Sequence, residues 1–274
     1  MSSIKDRQRA AARARLEKEM AERAQSARKR RQRQAVIGSA IAVVVIAGVA
    51  VWLVTALRSG DDDKTTASST PAGTVACTWT PEDASAGGKV KDVGTPGPNA
   101  PNTGTDTMTI ATSLGDVTAT VDKAKTPCTA AAFEFLASKN FWDNSKCHRL
   151  VTSGIKVLQC GDPSATGKGY RESDGSGGPS FRYAEENLPT GQPAYPAGTI
   201  AMAKTRAPSS TGSQFFIVYG DTQLDPSYTV LGKVTKGMEI VDQVAKAGSD
   251  NANQPGDGHP KKEITIKKLS MAAA

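Results

Sequence analysis

The chain has 274 residues and a formal net charge of +7, enough for one domain of ordinary size with appendages or for two small ones. The charge is unevenly placed: residues 1–34 hold twelve Lys or Arg against four Asp or Glu, and the remainder holds 22 against 23. The main body is close to neutral, which removes the basis for reading the whole protein as a nucleic-acid binder; no nucleic-acid partner is expected.

Residues 1–34 are rich in Ala, Arg, Glu and Gln, with only Leu16, Met20 and alanines as a thin apolar stripe. They read as a basic cytoplasmic tail flanking a membrane segment. Residues 35–57 contain no charge. As a helix they would span about 34 Å, enough for a hydrocarbon core of roughly 30 Å. Trp52 lies near the outer end, where an interfacial ring is favoured. Lys29, Arg30, Arg31 and Arg33 precede this run, and Asp61, Asp62 and Asp63 follow it. The positive-inside rule then predicts a single-pass bacterial membrane protein with a cytoplasmic N-terminus and an extracytoplasmic body. Val54-Thr55-Ala56 could serve as a cleavage site, but the apolar run is longer than a signal-peptide core.

Residues 58–104 are dense in Gly, Pro, Ser, Thr, Asp and Asn, and read as a flexible linker interrupted by Cys77-Thr-Trp79, a candidate to dock on the domain. The folded body is expected over 105–272. Met108 and Ile110, then Val117, Ala119 and Val121, alternate around the turn Ser113-Leu-Gly-Asp116, which predicts a hairpin. A helix opens at Pro127 with Thr126 as its N-cap and Ala130, Phe133, Leu136 and Ala137 on one face. Strand-like runs follow near 146–151, 156–160, 197–204, 214–219 and 229–234. Gly237 to Ala247 reads as a second helix, and Ile264, Ile266 and Leu269 as a last strand. Gly167-Lys-Gly-Tyr170 and Asp174-Gly-Ser-Gly-Gly178 lack a phosphate-loop ending and read as flexible surface loops.

All four cysteines, Cys77, Cys128, Cys147 and Cys160, fall on the predicted outer side. An even count in an oxidising compartment favours disulfides. Four cysteines allow three pairings, and the spacing alone does not choose; Cys77–Cys128 with Cys147–Cys160 is preferred here. No spacing suggests a metal site.

The segments Cys147-His-Arg-Leu150, Leu158-Gln-Cys-Gly-Asp162, Gly198-Thr-Ile-Ala-Met-Ala-Lys204 and Thr211-Gly-Ser-Gln-Phe-Phe-Ile217 occur in this order. Together they resemble the cyclophilin family of peptidyl-prolyl cis-trans isomerases over about residues 105–270. The resemblance implies a mainly β fold, a closed eight-stranded antiparallel barrel with two capping helices. Pattern alone also permits a sandwich. It implies rotation of X–Pro bonds in proline-containing polypeptides, with no cofactor and no metal. Arg149 matches the family's catalytic arginine, Gln159 the glutamine that orients the substrate carbonyl, and Phe216 the floor of the proline pocket, with Phe215 turned into the core. Val157, Ala203, Lys204, Gln214, Leu224 and Tyr228 match groove positions. His148 matches a histidine beside the arginine and is read as structural rather than as a general base.

Some positions depart from the pattern. The hairpin from His148 to Gln159 is two residues longer than usual, and Lys156 falls where a pocket phenylalanine is common, with Ile155 as the alternative filler. Gln223 replaces a tryptophan that many members use to bind cyclosporin, so weak cyclosporin binding is expected. A catalytically weak cyclophilin-fold binding module for proline-containing segments is the competing reading.

Overall fold

In the computed structural model, residues 71–82 and 89–274 are described. The predicted cytoplasmic tail and transmembrane helix lie outside these residues. Among the described residues, no helix is long and apolar enough to cross a membrane.

The strands are β1 (Thr74–Ala76), β2 (Thr80–Pro81), β3 (Lys89–Lys91), β4 (Asn99–Pro101), β5 (Thr105–Thr112), β6 (Gly115–Asp122), β7 (Ser145–Lys146), β8 (Arg149–Val151) and β9 (Val157–Cys160). They continue with β10 (Gly177–Pro179), β11 (Phe181–Arg182), β12 (Thr199–Met202), β13 (Phe215–Val218), β14 (Val230–Lys236), β15 (Asp257–Gly258) and β16 (Thr265–Ala273). Helix α1 spans Pro127–Ser138 and α2 spans Met238–Ala247. Ten strands form one antiparallel sheet in the order β15-β8-β9-β13-β12-β14-β6-β5-β16-β7.

This sheet is a curled half-barrel of ten strands, not the closed eight-stranded barrel the resemblance implied. The ladder stays open because its end strands do not pair, and at Cys147 and His148 one extended run changes partner between its two ends. Ser145 and Lys146 pair with β16, whereas Arg149 and the two residues after it pair with β9. Cys147 N–H donates to the Ile264 carbonyl and His148 N–H to that of Gln159. The end strands β7 and β15 are two residues each and are not paired with one another.

Strand alternation gives the sheet two different faces. The inner face carries Met108, Ile110, Val117, Val121, Leu150, Leu158, Ile200, Met202, Phe215 and Ile217, packed with Phe133 and Leu136 of α1 and Val241 and Val244 of α2. Thr126 is the N-cap residue of α1, but its side chain makes no cap hydrogen bond. The cap comes from Glu186 instead, whose carboxylate accepts from Cys128 N (3.0 Å), Thr129 N (2.9 Å) and Thr129 Oγ1 (2.8 Å). A carboxylate there also opposes the positive end of the helix dipole. Gly237, at φ +90°, turns the chain into α2 where a Cβ would meet the Asp116 carbonyl at 2.4 Å.

Over its described residues the segment expected as a linker is strapped to the domain, with Cys77-Thr-Trp79 docked there. β1 pairs with β4, β2 with β11, and β3 runs parallel to β10. Cys77 is bonded to Cys128 at the start of α1. The Trp79 ring stands edge-on to Phe181 (5.4 Å) and Tyr183 (5.5 Å), and its Nε1 donates to Gly97 O at 3.0 Å. A segment too poor in apolar residues to build a core can still dock on the aromatic face of its neighbours.

Candidate active site

The outer face of the same strands carries a second apolar cluster: Val151, Val157, Tyr195, Ala201, Phe216 and Val218, with Ile155, Ala203, Leu224 and Tyr228 against it. The ladder register puts Arg149 opposite Gln159, Gln159 opposite Phe216, and Phe216 opposite Ala201. These four positions form one row across β8, β9, β13 and β12, with side chains on one face. Phe215, one residue away, packs against Phe133 in the main core at 5.9 Å.

Above the row lies a cleft of about 260 Å³, lined by Arg149, Ile155, Val157, Gln159, Ala203, Lys204, Phe216, Leu224 and Tyr228. Its floor is aromatic. Phe216 is 5% exposed and meets Tyr228 edge-on at 5.8 Å and Tyr195 at 6.0 Å. The Tyr195 hydroxyl holds the loop that carries Leu224 and Tyr228, contacting the carbonyls of Asp225 and Tyr228 at 3.2 Å and accepting from Tyr228 N at 3.0 Å. Ile155, not Lys156, fills the cleft wall; the Lys156 ammonium turns back to the Thr152 carbonyl.

The polar edge is one connected chain of hydrogen bonds. Asp257 accepts from Arg149 Nε at 2.9 Å and from Nη2 at 2.6 Å. Arg149 Nη1 donates to Gln159 Oε1 at 3.3 Å, and Gln159 Nε2 donates to Gln214 Oε1 at 3.0 Å. Gln214 Nε2 ends the chain on the carbonyls of Gly175 (2.7 Å) and Gly177 (2.9 Å).

A polar edge made of an arginine fork and an amide, set over an apolar notch with no serine, cysteine or carboxylate in its lining, suits binding and electrostatic work. The family sequence model described as "Cyclophilin type peptidyl-prolyl cis-trans isomerase/CLD" matches residues 107–271. The chain belongs to the cyclophilin family. Among its relatives is the "Probable peptidyl-prolyl cis-trans isomerase B" of Mycobacterium leprae (strain TN). It is 40% identical over 190 residues, covering 64% of this chain and 61% of the relative. The protein of the same description from Mycobacterium tuberculosis (strain ATCC 25618 / H37Rv) is 37% identical over 177 residues, 60% of this chain and 54% of the relative. The chain thus spans somewhat over half the length of the curated relatives it matches first. A crystal structure of a Cryptosporidium parvum cyclophilin-type isomerase aligns with a TM-score of 0.52 at 25% identity, covering 62% of this chain and 99% of that one. A second structure of that protein, determined in the presence of the dipeptide Ala-Pro, aligns with a TM-score of 0.51 at 26% identity, covering 61% of this chain and 99% of that one.

Of the site residues expected from sequence, Arg149, Gln159, Phe216, Val157, Ala203, Lys204, Leu224 and Tyr228 line this one cyclophilin cleft. His148 and Gln214 do not. Gln214 stands behind Gln159 and ties it to the glycine-rich segment. His148 is 4% exposed and packs under Gly175, with neither ring nitrogen hydrogen-bonded among the described residues. Burial depresses its pKa to about 4, against the pull of the Asp162 and Asp174 carboxylates.

The glycine-rich segment read as a flexible loop is tied down. The buried Asp162 carboxylate accepts from the backbone N–H of Ser164, Gly175 and Gly177. Gly177 is required there, since a Cβ would fall 2.0 Å from Asp162 Oδ1.

Lys204 pairs with Glu185 at 3.2 Å at the cleft rim. Asp257 and Tyr195 are the site residues that sequence reasoning missed. Hydrogen bonding to Asp257 raises the Arg149 pKa further. In return, the Arg149 hydrogen bond, opposed by burial and helped by Asn253, holds Asp257 below the usual carboxylate range.

Proposed function

We propose that the chain is a peptidyl-prolyl cis-trans isomerase that assists folding of proline-containing polypeptides outside a bacterial cell membrane. The observation that carries this reading is the shared cleft: the Arg149 guanidinium and the Phe216 ring line one apolar notch, with Gln159 between them in the strand register. Rotation of an X–Pro bond must cross an amide barrier of roughly 18–20 kcal/mol, and no bond breaks. The substrate proline ring packs on Phe216 against Val157, Leu224 and Tyr228. As the amide twists, its nitrogen becomes pyramidal and recovers a lone pair. Arg149, an always-protonated donor fixed before the substrate arrives, stabilises that twisted state, and Gln159 orients the carbonyl.

The predicted helix over 35–57 and its basic flank support a single-pass anchor with the N-terminus inside. Two disulfides in the body, Cys77–Cys128 and Cys147–Cys160, support an oxidising exterior. Gln223 in place of a tryptophan, with Val157 where the resemblance implies a longer methionine, supports weak cyclosporin binding. Micromolar or weaker inhibition of the wild-type chain is the expected result, and submicromolar inhibition overturns this part.

The test of the main reading is a proline-peptide isomerisation assay on the full chain with Arg149→Ala beside it. A fall of about 10²–10³ in kcat/KM is expected, and equal rates reject the mechanism. One observation favours the alternative of a binding module with little turnover: Asp257 occupies two of the five Arg149 donors. Saturable binding of proline peptides with no rate above the uncatalysed one identifies that case.

A further inference from the structure

We infer that Asp257 is the positioning residue of the Arg149 guanidinium, so that the arginine works as one half of a preset ion pair. The inference rests on the isomerase reading above. Asp257 is 5% exposed and binds the arginine fork along one edge, through Nε at 2.9 Å and Nη2 at 2.6 Å. That geometry is bidentate, the arrangement in which a planar guanidinium loses its rotational freedom. With this edge fixed, Nη1 is aimed along the row at Gln159.

Asp257 is itself held from three sides. Asn253 Nδ2 donates to its Oδ1 at 3.0 Å, its own N–H donates to the Gln254 carbonyl at 2.8 Å, and its strand pairs with Val151 of β8. The loop around it is built for one conformation. The Asp250 carboxylate accepts from Ala252 N and His259 N, and Asn251 Oδ1 accepts from Gly256 N at 2.8 Å. None of the cleft-lining residues comes from this loop. Asp257 therefore acts on substrate only through Arg149. The arginine side chain, 37% exposed, has no other acidic partner in the structure's described ion pairs to hold it.

The experiment is a double-substitution cycle on the full chain: Asp257→Ala, Arg149→Ala and both together, measured as kcat and KM for a proline peptide, with the thermal midpoint of each. Asp257→Ala is expected to lower kcat about 10–100-fold with KM nearly unchanged. The same substitution placed on Arg149→Ala is expected to cost nothing further, because the group it positions is gone. Asp257→Glu, which keeps the carboxylate, is expected to recover part of the rate, and Asp257→Asn serves as the isosteric replacement if the alanine protein folds poorly. The Arg149 Nε–Hε signal in a ¹⁵N spectrum is expected to lose its slow exchange in the Asp257 variants. A kcat within twofold of wild type in Asp257→Ala and Asp257→Asn, with Arg149→Ala strongly impaired, overturns the inference and leaves the isomerase reading intact. An equal loss in both arginine backgrounds also overturns it, since that is the signature of a purely structural acid. Full activity of Arg149→Ala removes the mechanism itself, and the inference falls with it.

Discussion

The two faces of β8, β9, β13 and β12 use the same backbone for opposite purposes. Leu150, Leu158, Phe215 and Ile217 point inward and are packed by the helices and the rest of the sheet. Arg149, Gln159, Phe216 and Ala201 sit in register on the other side, where loops leave an opening. An aromatic side chain thus faces the packed core or the open cleft according to a shift of one residue, as the period of a strand requires. The contrast predicts separable failures. Phe215→Ala is expected to destabilise by about 3–5 kcal/mol through the cavity it leaves, with kcat/KM per folded molecule little altered. Phe216→Ala is expected to do the reverse, lowering kcat/KM at least tenfold with the smaller loss of stability. Denaturant unfolding and the isomerisation assay on both proteins check this. A larger stability loss at Phe216 than at Phe215 breaks the division of labour.

The strap tests whether the inner side can be weakened without touching the cleft. Cys77–Cys128 closes a separation of 51 residues and fixes the strap to the start of α1, and neither cysteine lines the cleft. A loop of that size corresponds to about 4 kcal/mol in the chain-entropy picture. Cys77→Ser with Cys128→Ser is therefore expected to lower stability by about 2–4 kcal/mol, with kcat/KM within twofold at a temperature where the protein stays folded. A larger kinetic effect would mean that the strap reaches the outer face.

What the sequence disclosed follows the range over which its signals act. The hairpin of β5 and β6 and both helices were legible, because periodicity and turn chemistry are local; which of Phe215 and Phe216 faces the cleft came from the family resemblance, with strand alternation making the split physical. The strap was legible only at Cys77-Thr-Trp79, the break in the linker that was a candidate to dock; the rest was not, because Trp79 finds its partners at Phe181 and Tyr183, and composition counts only nearby residues. Glu186 caps a helix that starts 59 residues earlier in the chain, so Thr126 looked sufficient. Asp257 was hidden in Pro255-Gly-Asp-Gly258, which reads as a turn, 108 residues from the arginine it grips. An acidic residue in a loop that also holds Asn251 and Asn253 was the only trace it left. The open ladder was hidden for a related reason: neither the unpaired ends nor the change of strand partner at Cys147 and His148 has a signature in alternation.

His148 belongs to neither face and offers the finest probe of the boundary between them. It precedes Arg149 in the chain, yet its ring is buried under the glycine-rich segment that Gln214 anchors. Its folded-state pKa of about 4 lies below the ordinary 6.5. As pH falls, the unfolded chain therefore takes up the proton first. The stability of the folded protein is undiminished by this group above about pH 6.5 and declines as pH drops toward 4, by about 2 kcal/mol at pH 5. The groups facing the ring, Asp162, Asp174, Arg149 and His259, set the remaining field. His148→Gln is expected to flatten the stability curve between pH 6.5 and 5 relative to wild type, read from denaturant midpoints. If the wild-type curve is already flat over that window, the ring is not held neutral, and the segment above it opens more readily than its hydrogen bonds to Asp162 imply.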